Sequence, residues 1–246
     1  MFLKDYIWFF GAIFLCIMFS LYASGKVKSS FAKYNIVRCR SGMTGYDTAS
    51  RIMRSNGITG ISIGRAGGFL TDHYHPKKAV VNLSDSTYAN SSLSAVAVAA
   101  HEMGHVMQRQ EGYAFYRLRT ALVPVVNFGS FLAIPLVLVG LLLDYLVAMA
   151  VANTGFYIAM VGVALYGASL LFALVTLPVE LDASRRAKKM LIAEGIIGQD
   201  QVKGAGEVLS AAALTYLASL LTSLVYFLRF LLYVLTLFGR RNNSGR

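Results

Sequence analysis

The chain has 246 residues, of which 56% are hydrophobic and only 14% charged, with a net charge of +11. So apolar a balance points to an integral membrane protein and places the positive charge in loops beside an anionic bilayer. It excludes a nucleic-acid binder, since no RNA- or DNA-binding motif is present, and a disulfide framework, since Cys16 and Cys39 lack CxxC spacing and Cys16 lies in an apolar run.

Residues 1–23 read as an uncleaved transmembrane anchor. The apolar run carries Lys4 and Asp5 at its outer end and Trp8 nearby, and it is too long for the hydrophobic part of a signal peptide. Residues 24–120 are the one long polar segment, with thirteen Lys/Arg against five Asp/Glu, and form the soluble part of the domain. Thr44 and Asp47 have capping-box spacing for a short helix that buries Ala49, Ile52 and Met53 and ends at Gly57. Residues 58–63, 69–74 and 79–84 predict short strands of a small sheet, broken by Gly67-Gly68 and by a His75-Pro76-Lys77-Lys78 turn. Residues 79–84 are an edge strand, either an ordinary one or one that pairs with an extended substrate. Asn90-Ser91-Ser92 then caps a helix that reaches about Gln110 and stops at Gly112. Leu93, Val96, Ala97, Ala100 and Gly104 form its packed side, while His101, His105 and Gln108 share another stripe.

Residues 121–177 predict a transmembrane hairpin. Its spans are 121–143, bent at Pro124 and Pro135, and 156–177, with a turn within 144–155, where Asp144, Asn153 and Thr154 make a poor helix centre. The turn explains Asp144 more simply than an ion path does. Pro178 fits the first turn of a new helix over 179–194, ended by Gly195, so 178–206 read as a helix and loop. Residues 207–239 are the final helix and span, with Ala211-Ala212-Ala213 packing on the soluble domain, and 240–246 form a basic, disordered tail. Thirteen Lys/Arg flank the spans on the side of the polar segment and four on the other, although the basic tail opposes this bias. The positive-inside rule therefore puts the polar domain in the cytoplasm of a multi-pass cell-membrane protein.

The chemistry lies in His101-Glu102-Met103-Gly104-His105, an HExxH pattern. Histidines four apart on a helix share one face and can hold a single Zn²⁺, with Glu102 placed to take a proton from a water on the metal. Zinc hydrolases need a third protein ligand. The chain has only four histidines, so the third ligand is His73, His75 or a carboxylate, of which Glu180 is best placed. Spacing alone leaves Glu180 equally readable as a helix N-terminal charge. His73 and His75 alternate along a strand, so one of them can face the cleft and bind the oxyanion, although surface histidines are commoner. Tyr113, Tyr116 and Tyr216 read as membrane-interface anchors before oxyanion donors, and Met103 and Met107 as core packing.

The motif segments resemble the YugP-type bacterial membrane zinc metallopeptidases. The likeness rests on HEMGH, on Thr176-Leu177-Pro178-Val179-Glu180-Leu181-Asp182-Ala183-Ser184 and on Ala211-Ala212-Ala213-Leu214-Thr215-Tyr216, and it follows the order of segments along nearly the whole chain. More distantly the chain is similar to the HtpX-type and CAAX prenyl-protease-type membrane zinc proteases. The resemblance implies that His101, His105 and Glu180 bind one Zn²⁺ per chain and that Glu102 is the general base. Ser184 stands where those proteases' ExxxD pattern has its Asp, with Asp182 two residues earlier. Either can orient a ligating histidine, and Asp182 as the ligand itself stays open.

The expected fold is thus mainly α: about four transmembrane helices plus a small α+β zincin-like metalloprotease domain carrying the HExxH helix. The expected function is a membrane-bound zinc-dependent endopeptidase acting on polypeptides in or near the bilayer by Glu-assisted attack of a zinc-bound water. The hairpin separates His105 from Glu180, so its two ends must meet at the site, which places that site at the cytoplasmic membrane face. The rival is a non-catalytic membrane scaffold whose structural zinc is closed by His73 or His75. A transporter is weaker, for want of intramembrane charges.

Overall fold

The structure, a computed structural model, describes residues 2–146 and 154–244. Among them run α1 (Phe2–Asn35), α2 (Gly45–Ser55), β1 (Ser62–Ala66), β2 (His73–His75), β3 (Val80–Ser84) and α3 (Leu93–Gln110). α4 (Ala114–Leu146), α5 (Thr154–Ala193), a 3₁₀ turn (Gln199–Gln201) and α6 (Val202–Ser244) follow. The turn expected within 144–155 falls largely on 147–153, outside the described residues. α6 continues through Arg240 and Arg241 to Ser244, so the backbone expected to be a disordered tail is helical that far.

Packing divides the chain into two units. The first comprises Met1–Phe19, Arg117–Thr176 and Leu217–Arg246. Its residues come largely from helices long and apolar enough to cross a membrane: Ile7–Asn35, Thr154–Ala193 and Gln199–Thr236, with a fourth if the bent pair in α4 is one span. That bend is 47° and lies between Gly129 and Phe131. Pro135 lacks an N–H and its ring displaces the carbonyl four residues back, which is Phe131. Val137, Ala159, Val163 and Val234 form the unit's core with Phe227 and Phe230. Large apolar side chains such as Phe128 (74% exposed) and Phe131 (78%) point outward, an arrangement that water disfavours and lipid accepts.

The second unit, Ser20–Tyr116 and Leu177–Tyr216, holds the sheet and the polar sequence. α2 opens as its sequence requires: Thr44 Oγ1 accepts the Asp47 N–H at 3.1 Å, and Asp47 Oδ2 accepts the Thr44 N–H at 3.0 Å. Ala49 and Ile52 on its inner face are fully buried, and Met53 is partly so. The first strand starts later than expected, at Ser62. Ile58 closes the end of α2 by donating to the Met53 carbonyl (2.9 Å), and Gly60 turns the chain at φ +75°. β2 is likewise confined to three residues, because Leu70 has a left-handed backbone (φ +55°) that no strand accommodates.

The sheet order is β1-β3-β2, with β1 parallel and β2 antiparallel to β3. β3 is therefore central. Residues 79–84 were expected at an edge, but both sides of β3 are hydrogen-bonded, and its Val81 and Leu83 are fully buried. Edge positions belong to β1 and β2.

α3 starts at the Ser92 cap, whose side chain accepts the Ala95 N–H, and ends before Gly112 (φ +66°). α5 departs from expectation: no new helix begins at Pro178, which lies inside one 40-residue helix. Val179, Ala183, Ala187 and Leu191 recur every four residues on that helix, and all are fully buried. Burial along this stripe, at about 1.5–3 kcal/mol for each large side chain, outweighs the hydrogen bond that proline removes. Glu180 is consequently a mid-helix residue, and the N-terminal-charge reading of it falls.

Candidate metal centre

α3 and α5 meet through very small residues. A Cβ on Gly104 would lie 2.6 Å from the Ala183 carbonyl oxygen, so only glycine allows this approach. Gly104 sits between the two histidines of HExxH, and Ala183 one turn beyond Glu180. The close backbone contact therefore sets the distance between the groups that matter.

His101 Nε2 lies 3.2 Å, and His105 Nε2 3.4 Å, from Glu180 Oε2. One ligand atom from each residue lies within 4.8 Å of the others. Neighbouring ligands on a tetrahedral ion with ~2.0–2.1 Å bonds stand ~3.3 Å apart, so both His–Glu separations fit one zinc. Glu180 is 2% exposed and His105 8%. Burial pushes the Glu180 carboxyl up, but the hydrogen bonds and charge of the two histidines overcome that and hold it well below the usual carboxylate range. The carboxylate stays ionised, as a metal ligand must.

The histidines are oriented from behind. Gln108, fully buried one turn after His105, donates from Nε2 to the Val179 carbonyl (2.8 Å) and to Asp182 Oδ2 (3.0 Å). Both partners only accept, so the amide nitrogen must face them and Oε1 must face His105 Nδ1, 3.0 Å away. His105 therefore donates its Nδ1 proton to Gln108, which fixes the ring and presents Nε2 to Glu180. Ser184 Oγ is 3.2 Å from His101 Nδ1 and serves the other ring. Asp182 is held by Arg186 Nε at 2.6 Å, and Arg186 also reaches Glu111.

Glu102 is 7% exposed, and burial pushes its carboxyl up to about 7. His101 opposes that shift, Glu180 and Asp72 add to it, and a hydrogen bond from the Tyr74 backbone opposes it. β2 is thereby bound to the HExxH helix, helped by Arg109, which donates to Tyr74 Oη (2.8 Å) and to the Pro76 carbonyl. A group poised near neutrality can both take and return a proton.

The structure thus brings His101, Glu102, His105 and Glu180 together and leaves other candidates outside. His73 lies on the surface, with Nδ1 against the Thr71 carbonyl (2.9 Å) and Nε2 against Asn82 (3.1 Å). His75 Nδ1 accepts the Lys78 N–H. Asp182 is engaged with Gln108 and Arg186, not with the group of three. Tyr116 is buried with its ring 6.3 Å from that of His105, while Tyr113 lies under Arg186. Sequence reasoning put Gln108 on the histidine stripe and assigned it nothing. A polar residue three positions after His105, on a face destined for burial, was the available signal.

Residues 9–235 match the protein family described as "Putative neutral zinc metallopeptidase". The chain belongs to this family. It is also similar to the "Putative membrane protease YugP" of Bacillus subtilis (strain 168). The two are 44% identical over 224 residues, covering 91% of this chain and 94% of that relative. The YugP-type resemblance expected from the motifs therefore holds. No solved structure matches the chain. The family's description names zinc, and two imidazoles with one carboxylate are a donor set that zinc hydrolases use.

Proposed function

We propose that the chain is a multi-pass membrane zinc endopeptidase whose catalytic centre lies at the cytoplasmic face and whose substrates are polypeptides in or beside the bilayer. The observation that carries this reading is the convergence of His101, His105 and Glu180 on one point, with Glu102 buried beside them. His101, His105 and Glu180 would hold one Zn²⁺. When bound, that ion polarises the scissile carbonyl and acidifies the attacking water. Glu102 takes the proton from that water as it attacks and gives it to the departing amine, a two-way transfer that its near-neutral carboxyl suits. β2, the sheet edge tied to α3 through Tyr74 and Arg109, takes over from β3 the role of pairing with an extended substrate.

Three protein donors leave a fourth position for substrate or water, which favours catalysis over a closed structural site. His73 and His75, needed to close such a site, are engaged elsewhere. The apolar stretch 121–177 lies between His105 and Glu180 in sequence, and only two residues, Pro178 and Val179, separate its end from Glu180. This short return supports a site at the membrane surface, and the Lys/Arg bias supports the cytoplasmic side.

Purified Glu102→Gln should keep one zinc per chain by elemental analysis and lose peptide cleavage. Retained cleavage would remove Glu102 as the base. Glu180→Ala should lose zinc, and full occupancy in that variant would refute the ligand set. Mass spectrometry of membrane proteins retained by Glu102→Gln identifies substrates.

A further inference from the structure

A cleft of about 160 Å³ opens beside the proposed catalytic pair, with His101 and Glu102 in its wall. Apart from these two it is mostly aliphatic and aromatic. α1 supplies Val27 and Phe31, α3 supplies Val98, α6 supplies Leu209 and Ala212, and Leu70 comes from the loop before β2. Positions 208, 212 and 216 of α6 recur every four residues and form one stripe along the cleft. The small stretch Ala211-Ala212-Ala213 thereby divides in two: Ala211 is buried at 3% exposure, while Ala212 faces the cleft and leaves it open.

Two features mark the cleft as built. Leu70 is one of two non-glycine residues with a left-handed backbone among the described residues (φ +55°), and its N–H is held by Ser86 Oγ at 3.2 Å. Such a conformation persists only when its surroundings impose it, and it concentrates at binding sites. Asp72, the one other acidic group in the wall, has both oxygens engaged by Ser84, Oδ1 by the N–H (2.8 Å) and Oδ2 by the hydroxyl (2.7 Å). Its carboxylate is tied to the sheet, so apart from His101, Glu102 and the Tyr216 phenol the wall is mostly hydrocarbon.

A volume of ~150 Å³ is enough to hold a benzene ring. We infer that this cleft is a specificity subsite, one that takes a bulky apolar side chain, of phenylalanine or leucine size, from the substrate residue next to the scissile bond. Ala212 sets its depth. The inference rests on the peptidase reading above and adds to it the substrate's side-chain class.

The test uses the full-length, zinc-loaded protein in detergent and a peptide mixture varied around a central bond, with cleavage sites read by mass spectrometry. Wild type should cut next to Phe, Leu or Met. Ala212→Phe, which fills the cleft, should lower the ratio of kcat/KM for Phe over Ala peptides by about tenfold or more. Ala212→Val is a milder variant that should shift the ratio the same way, and thermal melting checks that both fold. Cleavage without apolar preference, or a ratio unmoved in folded variants, overturns the subsite while leaving the peptidase standing. A preference for Lys or Arg also overturns it and transfers the recognition to Asp72. No cleavage of any peptide by wild type defeats the peptidase reading itself, and the subsite with it.

Discussion

Gln108 has no freedom to turn over, because its amide nitrogen faces two acceptors and its oxygen faces a ring nitrogen that must then carry hydrogen. Removing this support should let His105 rotate and sample the wrong tautomer. Gln108→Met, of similar length, should weaken zinc binding about 10–100-fold in competition with a coloured chelator. An affinity within about twofold of wild type, in a variant that melts normally without zinc, would exclude the positioning role. Glu102 supplies a second prediction at this scale. Its folded-state pKa, about 7, lies above the ordinary 4.5, so between those values the native state binds more protons than the unfolded one. The zinc-free protein then loses stability as pH rises through that window, reaching a cost on the order of 3 kcal/mol above it. Glu102→Gln should raise the melting temperature of zinc-free protein near pH 8 and leave it unchanged near pH 4; equal shifts at both would contradict the linkage. At this scale the sequence showed HExxH, because its chemistry is written in residue type and spacing, while Glu180 stood out only through the family resemblance. It did not show what Gln108, Asp182 and Ser184 do, since a side-chain amide's role depends on which atoms stand opposite it.

α2 and α3 could be read in advance because their caps are local: Thr44 with Asp47, and Ser92 ahead of Leu93, act within one turn of the helices they start. α5 could not. Proline is a reliable local signal of a helix boundary, and Pro178 was read as one, but buried Val179, Ala183, Ala187 and Leu191 hold the helix through it. The same limit governs β3. Its alternating pattern predicts a strand wherever it sits, and only its two neighbours make it central. The most exacting element-level contact is Gly104 against Ala183. Gly104→Ala should force α3 and α5 apart, destabilise the protein by about 1–3 kcal/mol and weaken zinc binding by stretching the distance to Glu180. Thermal melting with and without zinc measures both, and a variant matching wild type in each would show that the contact can relax.

For the molecule as a whole, zinc would join two helices whose ligands the sequence separates by a long apolar stretch. A ligand that binds only the native state stabilises by RT ln(1 + [L]/Kd), about 4 kcal/mol at a thousandfold excess over Kd. Stripping zinc with a chelator should therefore lower the melting temperature of wild type by several degrees and leave that of Glu180→Ala unmoved; a chelator effect of equal size in both would place the stabilising metal elsewhere. Sequence alone determined the apolar helices, the polar segment, the HExxH helix and the short list of partners for it, because hydrophobic period, capping and motif spacing act over a few residues. Tertiary structure decided that Glu180, seventy-five residues after His105, is the carboxylate that meets both histidines, that Asp182 meets His105 through Gln108, and that Ala212 faces a cleft while Ala211 is buried. Those choices turn on distances between chain segments, which depend on how closely two backbones pack and not on the order of the residues along either one.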